Sequence, residues 1–216
     1  MNAPGMALAL LGGLSALAYF RLSDARPNWR RSVIKTLPLA CLALAAIIAG
    51  APAWLSGALL LSALGDFALS RPGQQAFLYG LASFALAHVL FALLFLSLSG
   101  QPLWAAFVTA PGPALAFVVL ALSCELWLAP HTGVLRWPVR AYIVLIGAMM
   151  LAALTLPASY RLATLGAVAF VLSDLVLAVQ RFRLAPDSSL RRPVGWLLWA
   201  LYICGQGAIL WGVMAA

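Results

Sequence analysis

Charged residues are scarce in this sequence. Five of its 216 residues are acidic and 13 are Lys or Arg, so 8% of the chain is charged, against about 25% in a soluble domain. Hydrophobic residues make up 65% of the chain and the mean hydropathy is +1.03. This inventory excludes a water-soluble surface, because the apolar excess has to face lipid. We expect residues 1–216 to form a single transmembrane domain.

Cysteine is also rare, and familiar site motifs are absent. The three cysteines lie far apart inside apolar runs, without the CxxC spacing of a redox or metal site. No nucleophile elbow, zinc-protease motif, P-loop or dinucleotide fingerprint occurs. Although the net charge is +8, no basic stretch is interleaved with aromatics, so we expect no nucleic-acid partner.

Long hydrophobic runs fill most of the chain. A spanning helix takes roughly 17–25 apolar residues, which predicts an all-α polytopic membrane protein of about eight transmembrane helices. The fifth run is overlong; it is either kinked at Pro111 or begins there, with residues 103–110 as a short lead-in. The first run lacks a basic n-region and indicates a retained helix. The predicted helices cover residues 4–20, 35–51, 54–70, 76–98, 103–128, 138–156, 161–180 and 194–214.

The basic residues lie almost entirely on one side of these helices. Alternating spans place twelve of the 13 Lys and Arg residues in the loops of one side, with Lys35 at the edge of the first loop, and leave Arg161 alone on the other. Basic loops are cytoplasmic. This pattern predicts a bacterial inner-membrane protein with both termini in the periplasm. Asp24 and Asp187 fall in cytoplasmic loops and need no further role.

Two aspartates lie inside predicted spans, where a charge costs roughly 2.5–3.5 kcal/mol. Asp66 and Asp174 both occur in the pattern L-small-D-x-x-L, half a chain apart, on helices that run in the same direction. One short match favours a 4+4 parallel pseudo-repeat. The aspartates are candidate catalytic residues; the alternative is a structural pairing with Arg71 or Arg181.

Other polar side chains enter the same half of the predicted bundle. Together they favour a wet pocket toward the cytoplasmic half, although each also fits a structural role as interhelical hydrogen bonder or belt aromatic. Glu125 is expected to reach water or to pair with Arg136 or Arg140, and His131 to be solvated in a loop. The candidate substrate-binding residues are His88, Tyr142, Ser173, Tyr202 and Gln206.

Paired carboxylates in an apolar pocket suit acid–base chemistry. One can donate a proton while the other, ionised, acts as base or stabilises a cation, as in hydrolysis of an acid-labile C–O bond through an oxocarbenium-like state. Ser173 has no evident base partner except its neighbour Asp174, which argues against a serine nucleophile. One buried histidine with carboxylates provides too few of the ligands that zinc sites usually use, so we expect no metal and no cofactor.

Several segments resemble the lysoplasmalogenase family, the YhhN-like group of eight-helix membrane proteins that includes the mammalian TMEM86 proteins. The resemblance runs from the third predicted helix to the last, and the Ser173-Asp174 segment is its most specific part. The segments are Leu64–Asp66, Phe77–Gly80, Ala87-His88, Pro138–Tyr142, Phe170–Asp174, Arg181-Phe182, and Tyr202 with Gln206.

The resemblance implies hydrolysis of the vinyl ether bond of lysoplasmalogens to a fatty aldehyde and a glycerophospho-base, without a cofactor. It also implies that Asp66 and Asp174 are catalytic, that a lysophospholipid enters from the bilayer, and that membrane lipids surround the chain. Which aspartate is acid and which is base stays open, as do head-group preference and oligomeric state. The alternatives are a lipid or small-solute transporter, with the aspartates as proton or substrate sites, and a scaffold that has lost its chemistry.

Overall fold

The computed structural model describes residues 3–23 and 26–216; the first two residues and Asp24 lie outside them. Within these ranges the backbone forms nine α-helices and short 3-10 turns, with no strand, which confirms the all-α class. The helices are α1 Ala3–Phe20, α2 Trp29–Ile48, α3 Ala53–Leu69, α4 Gln74–Ser99, α5 Ala106–Thr109, α6 Pro111–Trp127, α7 Arg136–Leu154, α8 Arg161–Phe182 and α9 Arg191–Met214.

Most of these helices match the thickness of a bilayer. In the described ranges, seven helical segments are long and apolar enough to cross it, and α3 is a shorter apolar helix of 17 residues, about 25 Å at a rise of 1.5 Å per residue. The chain is therefore a polytopic membrane protein, and its eight predicted spans correspond to these eight helices. The predicted 4+4 repeat stays a prediction.

The second helix begins at Trp29 and not at residue 35. The Asn28 side chain accepts a hydrogen bond from the Arg31 backbone N–H at 2.9 Å, which satisfies a donor of the first turn. The helix ends before Gly50, whose φ of +69° suits the residue that follows a helix. Hydrophobicity marked the apolar part of this helix, whereas its N-cap lies almost two turns before the predicted start.

The overlong fifth run is divided. A short lead-in, Leu103–Thr109, precedes α6, which starts at Pro111. Proline suits the first helical turn because it lacks an N–H that the helix could not pair there. The prediction of a lead-in followed by a helix from Pro111 is confirmed, and the alternative of a single kinked helix is wrong.

The chain divides into two compact units, residues 1–91 and 92–216, described separately below. In the first unit α1 packs on α2 and α2 on α3. The first part of α4 lies against α3: Ser83 Oγ donates to the Leu61 carbonyl at 2.7 Å. The Phe84 ring covers Gly65, where an added Cβ would lie 2.6 Å from a ring carbon. This contact fixes the turn of α3 that carries Asp66.

In the second unit α8 and α9 pack closely along a seam of small residues. A Cβ added at Gly205 would lie 2.8 Å from the Gly166 carbonyl oxygen and 2.9 Å from the Phe170 nitrogen. At one end of the pair, Gln180 Nε2 donates to the Arg191 carbonyl at 2.9 Å. Close backbone approach of this kind is how membrane helices associate without a hydrophobic driving force. The expectation of one domain for residues 1–216 stays a prediction.

Candidate functional sites in the two units

Asp66 lies in the last turn of α3 and is 2% exposed. Its Oδ1 is 3.3 Å from Lys35 Nζ on α2, and the lysine side chain is 12% exposed. The cation in this ion pair is Lys35 and not Arg71, which the sequence had suggested as a structural partner. This ion pair is buried between two antiparallel helices of the first unit, so Lys35 is a site residue and not a loop charge.

The sequence prediction missed Lys35 for a specific reason. With the helix starting at residue 35, this lysine counted among the loop charges. Asn28 is a preferred N-cap residue that precedes the apolar run, and a helix begun there carries Lys35 almost two turns inside. The N-cap was therefore the signal that could have found it.

Two arginines surround the same end of α2 and α3. Arg71 Nη1 donates to Ser32 Oγ at 3.4 Å, and the Arg71 guanidinium carbon lies 4.6 Å from the centre of the Trp29 ring. Arg31 is held differently, because its guanidinium donates to backbone carbonyls of the α1–α2 loop and of the end of α3. These acceptors are Leu22, Ser23 and Ser70.

His88 is fully buried near the middle of α4. It follows Gly80 and Phe84 at four-residue steps, and those two residues contact Leu69 and Gly65 on α3. Residues at this spacing share one helix face. His88 therefore lies on the face of α4 that is turned to α3, inside the apolar part of the first unit.

Asp174 lies on α8 in the second unit, about two turns before the end of that helix. The Tyr142 hydroxyl of α7 donates to Asp174 Oδ2 at 2.7 Å, a distance expected for a hydroxyl and a carboxyl group. Both side chains are half-buried. The structure thus brings together two of the predicted site residues from different helices.

The other candidates of the second unit lie on the α8–α9 seam. Tyr202 is 4% exposed, and its ring centre lies 5.6 Å from that of Phe170 and 5.7 Å from that of Trp199. Gln206 lies one turn further along the same face of α9 and is fully buried. Ser173 is buried as well, and its hydroxyl donates to the Phe170 carbonyl at 2.7 Å.

A salt bridge and an arginine–histidine hydrogen bond lie near one end of the second unit. Arg140 Nε donates to Glu125 Oε1 at 2.8 Å, and a second guanidinium nitrogen reaches Oε2. The prediction that Glu125 pairs with Arg136 or Arg140 is thus confirmed, with Arg140. His131 is exposed and its Nδ1 lies 2.9 Å from Arg183 Nη1. These partly exposed pairs are worth little in stability.

No metal centre is built from the described side chains. Within residues 3–23 and 26–216, no three His, Cys, Asp or Glu residues are grouped to hold an ion. Asp66 instead contacts Lys35 in the first unit, and Asp174 contacts Tyr142 in the second. The predicted common pocket stays a prediction.

These features define a polytopic helical membrane protein that carries ionisable side chains inside its apolar helices. The family model described as the YhhN family matches residues 30–213. The chain therefore belongs to the YhhN family, which confirms the resemblance seen in the sequence.

Relatives with printed names support the same family. A lysoplasmalogenase of Mycobacterium tuberculosis is 36% identical over 149 residues, which cover 66% of this chain and 55% of that protein. The human lysoplasmalogenase TMEM86B is 36% identical over 176 residues, which cover 78% of this chain and 72% of the human protein. Bovine lysoplasmalogenase TMEM86A is 32% identical over 178 residues, which cover 74% of this chain and 70% of the bovine protein. The chain spans little more than half the length of the mycobacterial relatives, and no solved structure matches it significantly.

Proposed function

We propose that this protein is an integral membrane hydrolase of the vinyl ether bond of lysoplasmalogens, giving a fatty aldehyde and a glycerophospho-base. Family membership and the names of its relatives support this activity. The observation that carries it in the structure is a carboxyl group inside each unit: Asp66 beside Lys35, and Asp174 beside the Tyr142 hydroxyl.

The proposed chemistry needs one acid and one base. A vinyl ether reacts when a carboxylic acid protonates its alkene carbon remote from oxygen, which leaves an oxocarbenium ion. Water then adds to the carbon attached to oxygen while the second carboxylate takes the water proton. The resulting hemiacetal breaks its bond to the glycerol oxygen, which takes that proton back, and the hemiacetal hydroxyl returns its proton to the first carboxylate. Both groups are thereby restored.

The surroundings of Asp66 support an assignment of these roles. The Lys35 ammonium balances the negative charge of an ionised Asp66 carboxylate. We therefore give Asp66 the role of base and stabiliser of the oxocarbenium ion. Because the mechanism needs one acid as well, Asp174 is the proposed proton donor. The Tyr142 hydroxyl donates to Oδ2 of Asp174 and orients this carboxyl group. Tyr142 acts as a positioning residue in this scheme.

The remaining candidates are proposed to hold the lipid. His88, Tyr202 and Gln206 are buried polar side chains that can orient the ether oxygen or the glycerol hydroxyl, and Ser173 lies beside the proposed acid. The substrate is proposed to enter from the bilayer. We place the protein in a bacterial inner membrane with both termini periplasmic and the site toward the cytoplasmic half, on the strength of the basic loops.

Deuterium labelling tests the reaction class. Purified protein in detergent should release a fatty aldehyde from a lysoplasmalogen, and in D2O the aldehyde should carry one deuterium on the carbon next to the carbonyl. Pre-formed aldehyde incubated in the same buffer controls for exchange. Aldehyde without the label would contradict carbon protonation, and no aldehyde from folded protein would contradict the hydrolase.

A further inference from the structure

Positive charge exceeds negative charge around Asp66. Lys35 and Arg71 both reach this end of α2 and α3, and Lys35 is ion-paired with Asp66 at 3.3 Å. Arg71 contacts a neutral hydroxyl, Ser32 Oγ, and the Trp29 ring. Within residues 3–23 and 26–216, no carboxylate pairs with its guanidinium. With Arg31, whose guanidinium is held by backbone carbonyls, three cations face one carboxylate here, so the net charge of this region is positive.

The two cations lie close to each other. Arg71 contacts Ser32, and Lys35 follows Ser32 by three residues on α2. Ser32 and Lys35 therefore lie on one face of that helix, and the Arg71 guanidinium lies on the same face. Three residues correspond to about 4.5 Å along the axis. A group with two anionic oxygens can accept hydrogen bonds from a guanidinium and from an ammonium that lie along one face of a helix.

We propose that Lys35 and Arg71 bind the phosphate of a lysophospholipid head group and so anchor the substrate beside Asp66. This proposal rests on the proposed function and names the part of the substrate that the first unit recognises. A phosphodiester carries one negative charge, which offsets part of this excess positive charge. Arg71 is partly exposed at the end of α3, and a lipid phosphate can therefore reach it.

The position of the two cations favours a lipid phosphate over a soluble one. They lie where two apolar helices end, beside Trp29 and Val33, whose side chains are 64% and 53% exposed. Exposed tryptophan next to basic residues is typical of the level of the head groups. Only the three glycerol carbons separate the phosphate ester of a lysoplasmalogen from its ether oxygen. A phosphate held by Lys35 and Arg71 thus brings the vinyl ether near the carboxylate of Asp66.

Binding of an uncleavable lipid tests this anchor apart from catalysis. The probes are a 1-alkyl lysophospholipid, which has a saturated ether, and the matching 1-alkylglycerol, which lacks phosphate. Tryptophan fluorescence reports binding, and Trp29→Phe identifies the contribution of the ring under Arg71. We expect Arg71→Gln to weaken binding of the phospholipid about tenfold or more, and to change binding of the alkylglycerol less than about twofold. Arg71→Lys, which keeps a point charge, should be intermediate.

Arg30→Gln is the matched control, because Arg30 is exposed in the first turn of α2 and its replacement removes the same charge. It should bind both lipids as the wild type does. Equal weakening of both lipids by Arg71→Gln, or no weakening, would overturn the anchor. The anchor would also be overturned if inorganic phosphate alone produced the same fluorescence change with the same affinity as the lipid, because the site would then be a general anion site. The proposed hydrolysis fails by a different result, the absence of aldehyde.

Discussion

At the residue scale, a buried ion pair joins α2 to α3. Two charges removed from water lose solvation free energy, and their mutual attraction offsets this loss only while both partners are present. Lys35 and Asp66 are 12% and 2% exposed. Each side chain is therefore expected to depend on the other, for stability as well as for the proposed chemistry.

Removing Lys35 should destabilise the fold through Asp66. Lys35→Met removes the cation that faces the buried Asp66 carboxylate; breaking a buried ion pair in this way costs about 3–5 kcal/mol and should lower the thermal unfolding midpoint in detergent. The double variant Lys35→Met/Asp66→Asn removes both charges and should recover most of the loss. Arg30→Met, on the exposed side of α2, should leave the midpoint unchanged. A single variant as stable as the wild type would contradict the importance of the pair.

The Tyr142 hydroxyl should matter for turnover more than for folding. Tyr142→Phe removes the hydrogen bond to Asp174 and keeps the ring. A hydrogen bond to an uncharged carboxylic acid is worth roughly 0.5–1.5 kcal/mol, so kcat for aldehyde release should fall about two- to tenfold with little change in thermal stability. Tyr79→Phe is the control, because Tyr79 is 71% exposed. Equal kcat for Tyr142→Phe and the wild type would remove Tyr142 from the mechanism.

At the scale of elements, hydrophobic runs located the helices but not all of their ends. The predicted α8 began at residue 161 as in the structure, because Pro157 and a short polar turn precede it. The start of α2 was wrong, since a cap made by a side chain adds polar turns that hydropathy does not detect. The same error hid Lys35, whose role depends on its position within the helix.

The seam between α8 and α9 could not be predicted from the sequence. Glycines are frequent in membrane helices, and hydropathy does not indicate which of them touch another backbone. Gly205 lies against Gly166 and Phe170, whereas a Cβ at Gly207 would meet nothing within 4 Å. The two glycines of one helix therefore differ in a way that only the packing defines.

This contrast gives a matched pair of variants. Gly205→Ala forces the two backbones apart, and overpacking of this kind costs about 1–3 kcal/mol, so the unfolding midpoint should fall. Gly207→Ala should keep or raise it, because alanine favours a helix by about 1 kcal/mol over glycine. Thermal unfolding of both variants in one detergent measures the difference. A Gly205→Ala variant as stable as Gly207→Ala would contradict the close approach of α8 and α9.

At the scale of the whole molecule, composition predicted the class of protein, whereas the partners of the two aspartates could not be predicted from the sequence. Scarce charge and eight apolar runs predicted the polytopic class, which the helices confirm. Both aspartates were found as buried charges, since any such residue in an apolar run is conspicuous. Their partners Lys35 and Tyr142 each come from the preceding helix in the chain; Tyr142 was a candidate without a partner, and Lys35 was counted as a loop residue.

Membrane orientation can be tested on the two loops that flank α8. In a background with the three cysteines replaced by alanine, Ser159→Cys should react with a membrane-impermeant thiol reagent on intact bacterial cells. Ser189→Cys should react only after the cells are opened, because the arginine-rich loop is expected in the cytoplasm. Both serines are exposed. The reverse labelling pattern would contradict periplasmic termini.

The measurement that tests the central claim most directly is aldehyde release from a lysoplasmalogen by purified wild type, Asp66→Asn and Asp174→Asn. The account predicts release by the wild type and loss of at least about a hundredfold in each variant, since general acid–base catalysis contributes roughly 10²–10⁴-fold. Circular dichroism and gel filtration should show all three proteins folded alike. Release that persists in both folded variants would contradict carboxylate catalysis, and a folded wild type that releases no aldehyde would contradict the hydrolase itself.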